Sequence, residues 1–189
     1  MTLATNKTNM QITHTQLAGC VILQLPIYHD QRGHFQELYV DARYKDAGIP
    51  DTFVQDNFSV SQAGVIRGMH FQRFKAQGKL ISVLQGEIYD VMLDLRPDSS
   101  TFGQWQAITL DANSGQQLFI PAGFAHGFQA LTNNTLVMYK TSQYYDAKDE
   151  AAFNALDPKL SINWPAPITA RSVKDCTAPN FSDIVSSFL

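Results

Sequence analysis

Two short stretches concentrate residue types that move protons or hold ions. They are Gly64-Val-Ile-Arg-Gly-Met-His-Phe-Gln72 and Gly115-Gln-Gln-Leu-Phe-Ile-Pro-Ala-Gly-Phe-Ala-His-Gly-Phe128, and each offers one histidine, His70 and His126. A free imidazole titrates near neutral pH, so it takes up or returns a proton under working conditions. The alternative use of the pair is metal binding, which needs about four converging protein ligands. Gln72 follows His70 at a spacing of two, and no Glu comes within the next few residues. Two imidazoles without a carboxylate or thiolate make a poor site for zinc or iron. Proton transfer in a metal-free pocket is therefore the chemistry these residues favour, against the competing interpretation that both histidines are merely packed in a sheet.

The surrounding chain reads as strands. Thr52–Val60 and Lys79–Leu84 alternate apolar and polar residues, and Glu87–Leu95 is rich in β-branched and apolar residues after Gly86. Gln104–Leu110, Gln116–Ile120 and Thr135–Thr141 look similar, separated by turn signals such as Arg96-Pro-Asp-Ser-Ser and Asp111-Ala-Asn-Ser-Gly. Short strands at this spacing favour a β-sandwich or jelly roll over alternating strand–helix units. Helical signals are brief: Asp41–Ala47 before Gly48, Asp149–Leu156 before Pro158, and a turn or two over Asp183–Leu189.

The 189 residues fit one domain, taken here as residues 11–189 behind a polar, flexible extension over residues 1–10. With 44% hydrophobic and 16% charged residues the composition is that of a globular protein, and no apolar run is long enough to span a bilayer. The first ten residues lack the basic-then-apolar layout of a secretory signal, which makes the cytoplasm the expected location. A net charge of −3 does not suggest a nucleic-acid-binding surface, so an anionic ligand would have to meet a few local Arg and Lys residues. Cys20 and Cys176 are expected to be free thiols.

The second stretch resembles the second cupin motif: Gly115, five residues, Pro121, one residue, Gly123, two residues, His126. The first matches cupin motif one only in part, with His70 at its first histidine and Gln72 at its second. More specifically, the chain resembles the dTDP-4-dehydrorhamnose 3,5-epimerases (dTDP-4-dehydro-6-deoxyglucose 3,5-epimerases). The matching segments are Asp30–Glu37, Phe53–Ser59, Ile66–Gln72, Ala76–Leu80, Ser100–Trp105, Ile120–Phe128, Val137–Tyr139 and Ser172–Asp175, in family order over nearly the whole chain. The loop Arg73–Gly78 looks about one residue shorter than is usual in the family.

That resemblance implies an all-β cupin jelly roll with a few short helices, working without a cofactor or metal as an isomerase. The family substrate is dTDP-4-dehydro-6-deoxy-D-glucose, inverted at C3 and C5 to dTDP-4-dehydro-L-rhamnose. The ketone at C4 acidifies the hydrogens on C3 and C5, so inversion needs a base, an acid on the opposite face and a group to hold the enolate charge. By resemblance His70 is the base, Asp175 its partner, Tyr139 the acid and Lys79 the cation beside the C4 oxygen. Arg67 and His126 match residues lining the sugar and diphosphate region, and Arg32 and Lys174 match basic residues near the diphosphate. Phe35, Glu37, Gln55, Asn57 and Tyr145 match residues around the thymidine. The family pattern further implies a homodimer in which Arg32, Phe35 and Glu37 reach the partner's site on exchanged N-terminal strands. The rival readings are an epimerase acting at C3 or C5 alone, a non-catalytic sugar-nucleotide-binding cupin, and a metal-dependent cupin oxygenase, which the missing ligands oppose.

Overall fold

A computed structural model describes residues 10–185. Thirteen strands form among the described residues: β1 (Gln11–His14), β2 (Val21–Gln24), β3 (Tyr28–Asp30), β4 (Gly33–Phe35), β5 (Gln55–Ser61), β6 (Ile66–Gln72), β7 (Lys79–Gln85), β8 (Glu87–Asp94), β9 (Trp105–Asp111), β10 (Gln116–Ile120), β11 (Phe124–Ala130), β12 (Thr135–Thr141) and β13 (Glu150–Ala152), of which β5, β7, β8, β9, β10 and β12 fall where the sequence places them. Three short helices accompany them: α1 (Asp41–Asp46), α2 (Val173–Thr177) and α3 (Phe181–Ile184). The strands form two antiparallel sheets, six-stranded in the order β1-β2-β10-β7-β12-β5 and five-stranded in the order β13-β6-β11-β8-β9, with β3 and β4 as a separate hairpin. This is the expected jelly-roll sandwich.

Between the sheets lies an apolar core that includes Ile81, Val83, Ile88, Met92, Leu110, Leu118, Phe128 and Val137, with Tyr139 packed at its border. The outer face of the six-stranded sheet is covered around Leu23, Tyr44, Ile49, Leu80 and Phe119, and the outer face of the five-stranded sheet around Phe71, Leu93, Ala125, Phe153 and Phe181. Burying a large apolar side chain contributes about 1.5–3 kcal/mol, so three such clusters hold both sheets in fixed register.

Two expectations need correction. The segment Asp149–Leu156 is not a helix. Its first part is β13, which pairs antiparallel with β6, and Phe153 then inserts, fully buried, beside Phe71 and Phe181. Tertiary pairing and one large apolar anchor override the helix-like local composition. The C-terminal helix starts earlier than expected, at Phe181, whose backbone N–H donates to the buried Asp157 carboxylate. Its expected continuation over residues 186–189 lies outside the described residues, as does the expected flexible extension except for Met10, which packs against the cluster around Leu23. Cys20 is buried and Cys176 exposed, both as free thiols. Among the described residues no helix is long and apolar enough to cross a membrane.

Candidate active site

One end of the space between the sheets opens into a cavity of about 500 Å³. Strand register explains which side chains reach it. On the six-stranded sheet, β7, β12 and β5 pair so that Ile81, Tyr139 and Asn57 form one row and Lys79, Thr141 and Gln55 the next. Side chains two residues apart on a strand share a face. The apolar row Val83–Val137 therefore gives way, along the same face, to Tyr139 and then Lys79 as core becomes cavity. On the opposite sheet His70 of β6 pairs directly with His126 of β11.

Simple alternation would not place both Arg67 and His70 inward, because they are an odd number of residues apart. A bulge does so: β6 spends the stretch Arg67–His70 opposite only Phe128–His126 of β11. Both side chains consequently line the cavity. The bulge is sterically tight. At Gly68 (φ +126) a Cβ would lie 2.5 Å from the Gly127 Cα, and at Gly127 a Cβ would lie 2.8 Å from the Arg67 carbonyl oxygen. Only glycine permits this approach.

His70 and Asp175 form a dyad. The His70 Nε2–H donates to the Asp175 Oδ1 at 2.6 Å, which leaves the other ring nitrogen for the cavity. Asp175 sits in the first turn of α2, but the cap of that helix is Ser172, whose hydroxyl accepts from the Asp175 backbone N–H at 3.0 Å. The Asp175 carboxylate is thereby free to face His70, with its side chain only 2% exposed. Burial pushes its pKa up, but hydrogen bonds from His70, Ser172 and the Gly68 backbone outweigh burial and hold it below the ordinary value. A second dyad lies alongside, His126 Nε2–H donating to Asp90 Oδ2 at 2.8 Å, and both side chains are buried.

Across the cavity, Lys79 is buried, and desolvation drags its pKa from 10.5 down to about 8 although Asp90 and Glu150 pull the other way. The short loop before Lys79 does not keep it away: its Nζ reaches the His70 carbonyl oxygen at 3.4 Å and the side chain lines the cavity. The Tyr139 phenol has its pKa raised, chiefly by burial and further by Glu150, against the Arg67 charge. Arg67 is fixed by donating from Nε to Ser61 Oγ at 2.9 Å and from Nη2 to the Val60 carbonyl at 3.2 Å.

At the mouth, Gln55 Nε2 donates to Asn57 Oδ1 at 2.9 Å, and Gln55 Oε1 accepts from the Tyr145 backbone N–H at 2.9 Å. Lys174 pairs with Glu150 at 2.5 Å. Gln55, Asn57 and Lys174 touch or flank lining residues without lining the cavity themselves; Arg32, Phe35 and Glu37 do not line the cavity either. They sit on and just after the β3–β4 hairpin, where Arg32 is 90% exposed and paired with Asp30, Phe35 tilts against Tyr28, and Glu37 accepts from Arg43. Sequence reasoning missed Glu150, Gln72, Arg171 and Ser59, which also line the cavity. For Glu150 the helix-like reading of its segment hid the signal, since only strand pairing turns it toward His70. Among the described residues no three His, Cys, Asp or Glu side chains converge as metal ligands would.

The comparisons with known proteins agree with this architecture. The family model for dTDP-4-dehydrorhamnose 3,5-epimerase matches residues 14–183. The dTDP-4-dehydrorhamnose 3,5-epimerase of Methanothermobacter thermautotrophicus is 44% identical over 80% of this chain and 82% of its own. The crystal structure of the dTDP-6-deoxy-D-glucose-3,5-epimerase of Legionella pneumophila in complex with dTDP-4-keto-L-rhamnose superposes with a TM-score of 0.90 at 44% identity, covering 95% of this chain and 97% of that one. A more distant structure, a 3'-monoepimerase from Streptomyces bikiniensis in complex with dTDP-quinovose, gives a TM-score of 0.86 at 29% identity over 92% of this chain and 89% of that one. Fold, site layout and sequence together place the chain in the dTDP-4-dehydrorhamnose 3,5-epimerase family.

Proposed function

We propose that the protein inverts C3 and C5 of dTDP-4-dehydro-6-deoxy-D-glucose, giving dTDP-4-dehydro-L-rhamnose for dTDP-L-rhamnose biosynthesis. The observation that carries this reading is the dyad of His70 on one sheet and Asp175 on α2, with Tyr139 and Lys79 of the other sheet lining the same cavity. Inversion needs proton removal and return on opposite faces of one carbon, and groups from two facing sheets meet that demand. His70 takes the proton from the carbon beside the ketone. Asp175 holds the imidazole's orientation and stabilises the imidazolium that forms. The electron pair moves into an enolate whose oxygen lies against the Lys79 ammonium, a fixed charge in a partly dry site. Tyr139 then returns a proton to the opposite face. Arg67, His126 and Lys174 hold the sugar and diphosphate, while Gln55, Asn57 and Tyr145 meet the thymidine. No metal is required for any of these steps.

The assembly is a homodimer in which the β3–β4 hairpin crosses to the partner subunit. Support comes from Arg32, Phe35 and Glu37, which match nucleotide-binding positions of the family yet stand clear of this chain's own cavity. A single jelly-roll unit over residues 11–189 carries the activity in the cytoplasm, where its nucleotide-sugar substrate would be made.

Proton NMR of the 4-keto sugar nucleotide with enzyme in D2O tests the reading. Deuterium should enter at both C3 and C5, with coupling constants of a rhamno-configured product. The similarity to a 3'-monoepimerase favours a second reading, inversion at C3 alone. Deuterium at C3 without inversion at C5 would establish that alternative, and absence of exchange at either carbon would leave a non-catalytic binding protein.

A further inference from the structure

Three Lys or Arg side chains line the cavity, Arg67, Lys79 and Arg171. The reaction above gives Arg67 and Lys79 tasks and leaves Arg171 without one. Its Nη1 donates to the Asn154 Oδ1 at 2.8 Å, and among the described residues it forms no ion pair with a carboxylate. Other cations near the mouth differ: Lys174 is paired with Glu150, and Arg32 with Asp30. Arg67 is like Arg171, since its guanidinium donates to the Ser61 hydroxyl and the Val60 carbonyl, both neutral. The two arginines also leave neighbouring backbones. Val65 forms a parallel bridge with Ala170, and the Ile66 N–H donates to the Ala170 carbonyl at 3.0 Å. Arg67 follows Ile66 and Arg171 follows Ala170.

The anchor of Arg171 is itself fixed. Asn154 follows the fully buried Phe153, and its backbone N–H donates to the Pro179 carbonyl at 2.8 Å. Its Nδ2 donates to the Asn180 Oδ1 at 3.3 Å, and its Oδ1 also accepts from the Leu156 N–H at 3.0 Å. On the other side of Arg171 stands Ser172, the cap of α2. Arg171 is half-buried, with one terminal nitrogen committed to a neutral amide. A partly desolvated charge held in this way lacks compensation until an anion arrives.

From this geometry we infer that Arg171 is a further substrate-binding residue, forming with Arg67 a two-guanidinium clamp for the diphosphate of the nucleotide sugar. The inference rests on the epimerase reading, which supplies that ligand. Two cations without carboxylate partners match a dianionic group, and guanidinium donors take phosphate oxygens in pairs. The segment that grips the phosphates continues into α2, which carries Asp175 to His70.

Arg171→Gln removes the charge, and Arg171→Lys keeps it without the fork. Calorimetry on the full chain measures binding of dTDP, thymidine and inorganic pyrophosphate, with thermal melts to establish folding. Arg171→Gln should weaken dTDP and pyrophosphate roughly tenfold each and leave thymidine within about twofold. For the 4-keto sugar nucleotide kcat/KM should fall by a similar factor, carried by KM. Arg171→Lys should recover part of the dTDP affinity. The inference is overturned if Arg171→Gln leaves dTDP affinity within about twofold, or if thymidine weakens as much as dTDP. A fall in kcat at unchanged dTDP affinity would overturn it too, and would make Arg171 an anchor for the turn before α2. Should Arg171→Gln fail to fold, phenylglyoxal labelling of the wild-type protein decides. Mass spectrometry should find Arg171 modified, and pyrophosphate but not thymidine should protect it. Absent labelling, or labelling that pyrophosphate leaves unchanged, counts against the clamp. Wild-type protein that binds dTDP and pyrophosphate yet exchanges no deuterium from the 4-keto sugar would sink the epimerase reading and leave the clamp standing. Wild-type protein that binds neither would sink the clamp.

Discussion

At the scale of single residues, the arrangement assigns separate tasks that substitution can separate. His70→Ala removes the only imidazole paired with Asp175, so deuterium exchange at C3 and C5 should fall together, by roughly 10²–10⁴-fold for a lost general base. Exchange persisting at one carbon would assign that carbon a different base, with His126 the adjacent imidazole. Tyr139→Phe preserves the ring that packs at the border of the core and deletes the hydroxyl. His70 would still form the enolate and could return a deuteron to the face it left. The expected outcome is deuterium incorporation with retained configuration, clearest at C5, and coupling constants of the sugar ring distinguish this from inversion. On the proposed mechanism Lys79 sets the pH dependence. Its pKa is lowered by burial to about 8, so the ammonium that stabilises the enolate is present below that pH and lost above it. A plot of kcat/KM should fall as pH rises through about 8, and Lys79→Met should abolish this limb along with most of the rate. Tyr139, whose pKa is raised, stays protonated through the same range and leaves the limb to Lys79.

At the scale of elements, the bulge between β6 and β11 decides whether Arg67 and His70 can share one cavity. Gly68→Ala would place a methyl against the Gly127 Cα in a backbone region that side chains avoid. A cost of about 2–3 kcal/mol is expected, which lowers Tm by roughly 5–10 °C in a chain of this size. Activity should fall further than stability, because relaxing the bulge rotates His70 away from Asp175. An Ala variant that melts like the wild type and keeps its rate would show that the bulge is dispensable. This element also marks the boundary of what sequence conveys. Gln116–Ile120 and Thr135–Thr141 were legible to the residue, β12 through partial alternation of burial and β10, buried on both faces, through a short apolar run bounded by turn signals. Lys79, Tyr139, His70 and Asp175 were identifiable through the family motifs they occupy. The bulge was not legible, since a two-residue period has no mark for a one-residue insertion. Nor was β13: three residues pinned by their pairing to β6 carry too short a pattern to outweigh the helix formers around them, and with β13 went Glu150. Ser172 illustrates the reverse difficulty. An acid in the first turn of a helix suggests a cap, but the serine before it caps α2 and releases Asp175 for His70.

At the scale of the whole molecule, the exposed apolar surface argues for a partner. Among the described residues strand β5 ends the six-stranded sheet without a further partner strand, and its outward residues Phe58 and Val60 are 73% and 47% exposed. An uncovered apolar edge strand invites association. The β3–β4 hairpin adds Tyr28 and Phe35 to the exposed apolar residues, beside the exposed Arg32–Asp30 pair. A second copy of the chain would cover such surfaces and accept the hairpin's side chains at the mouth of its own cavity. Light scattering should give a dimer at micromolar concentration, and Phe58→Asp should shift it toward monomer with loss of activity. Chain mixing tests the shared site directly. On the proposed assignment an Arg32→Ala chain lacks a nucleotide contact and a His70→Ala chain lacks the base, so each variant alone should be nearly inactive. If the hairpin crosses, a mixed dimer holds one site carrying both lesions and one carrying neither. Co-refolding at equal amounts should then recover about a quarter of wild-type activity, since half of the dimers are mixed and each has one intact site of two. If Arg32 instead serves the cavity of its own chain, every site in the mixed dimer carries one lesion and no activity returns. Mass spectrometry of the intact assemblies verifies that mixed dimers form, so absence of recovery would count against the crossing itself.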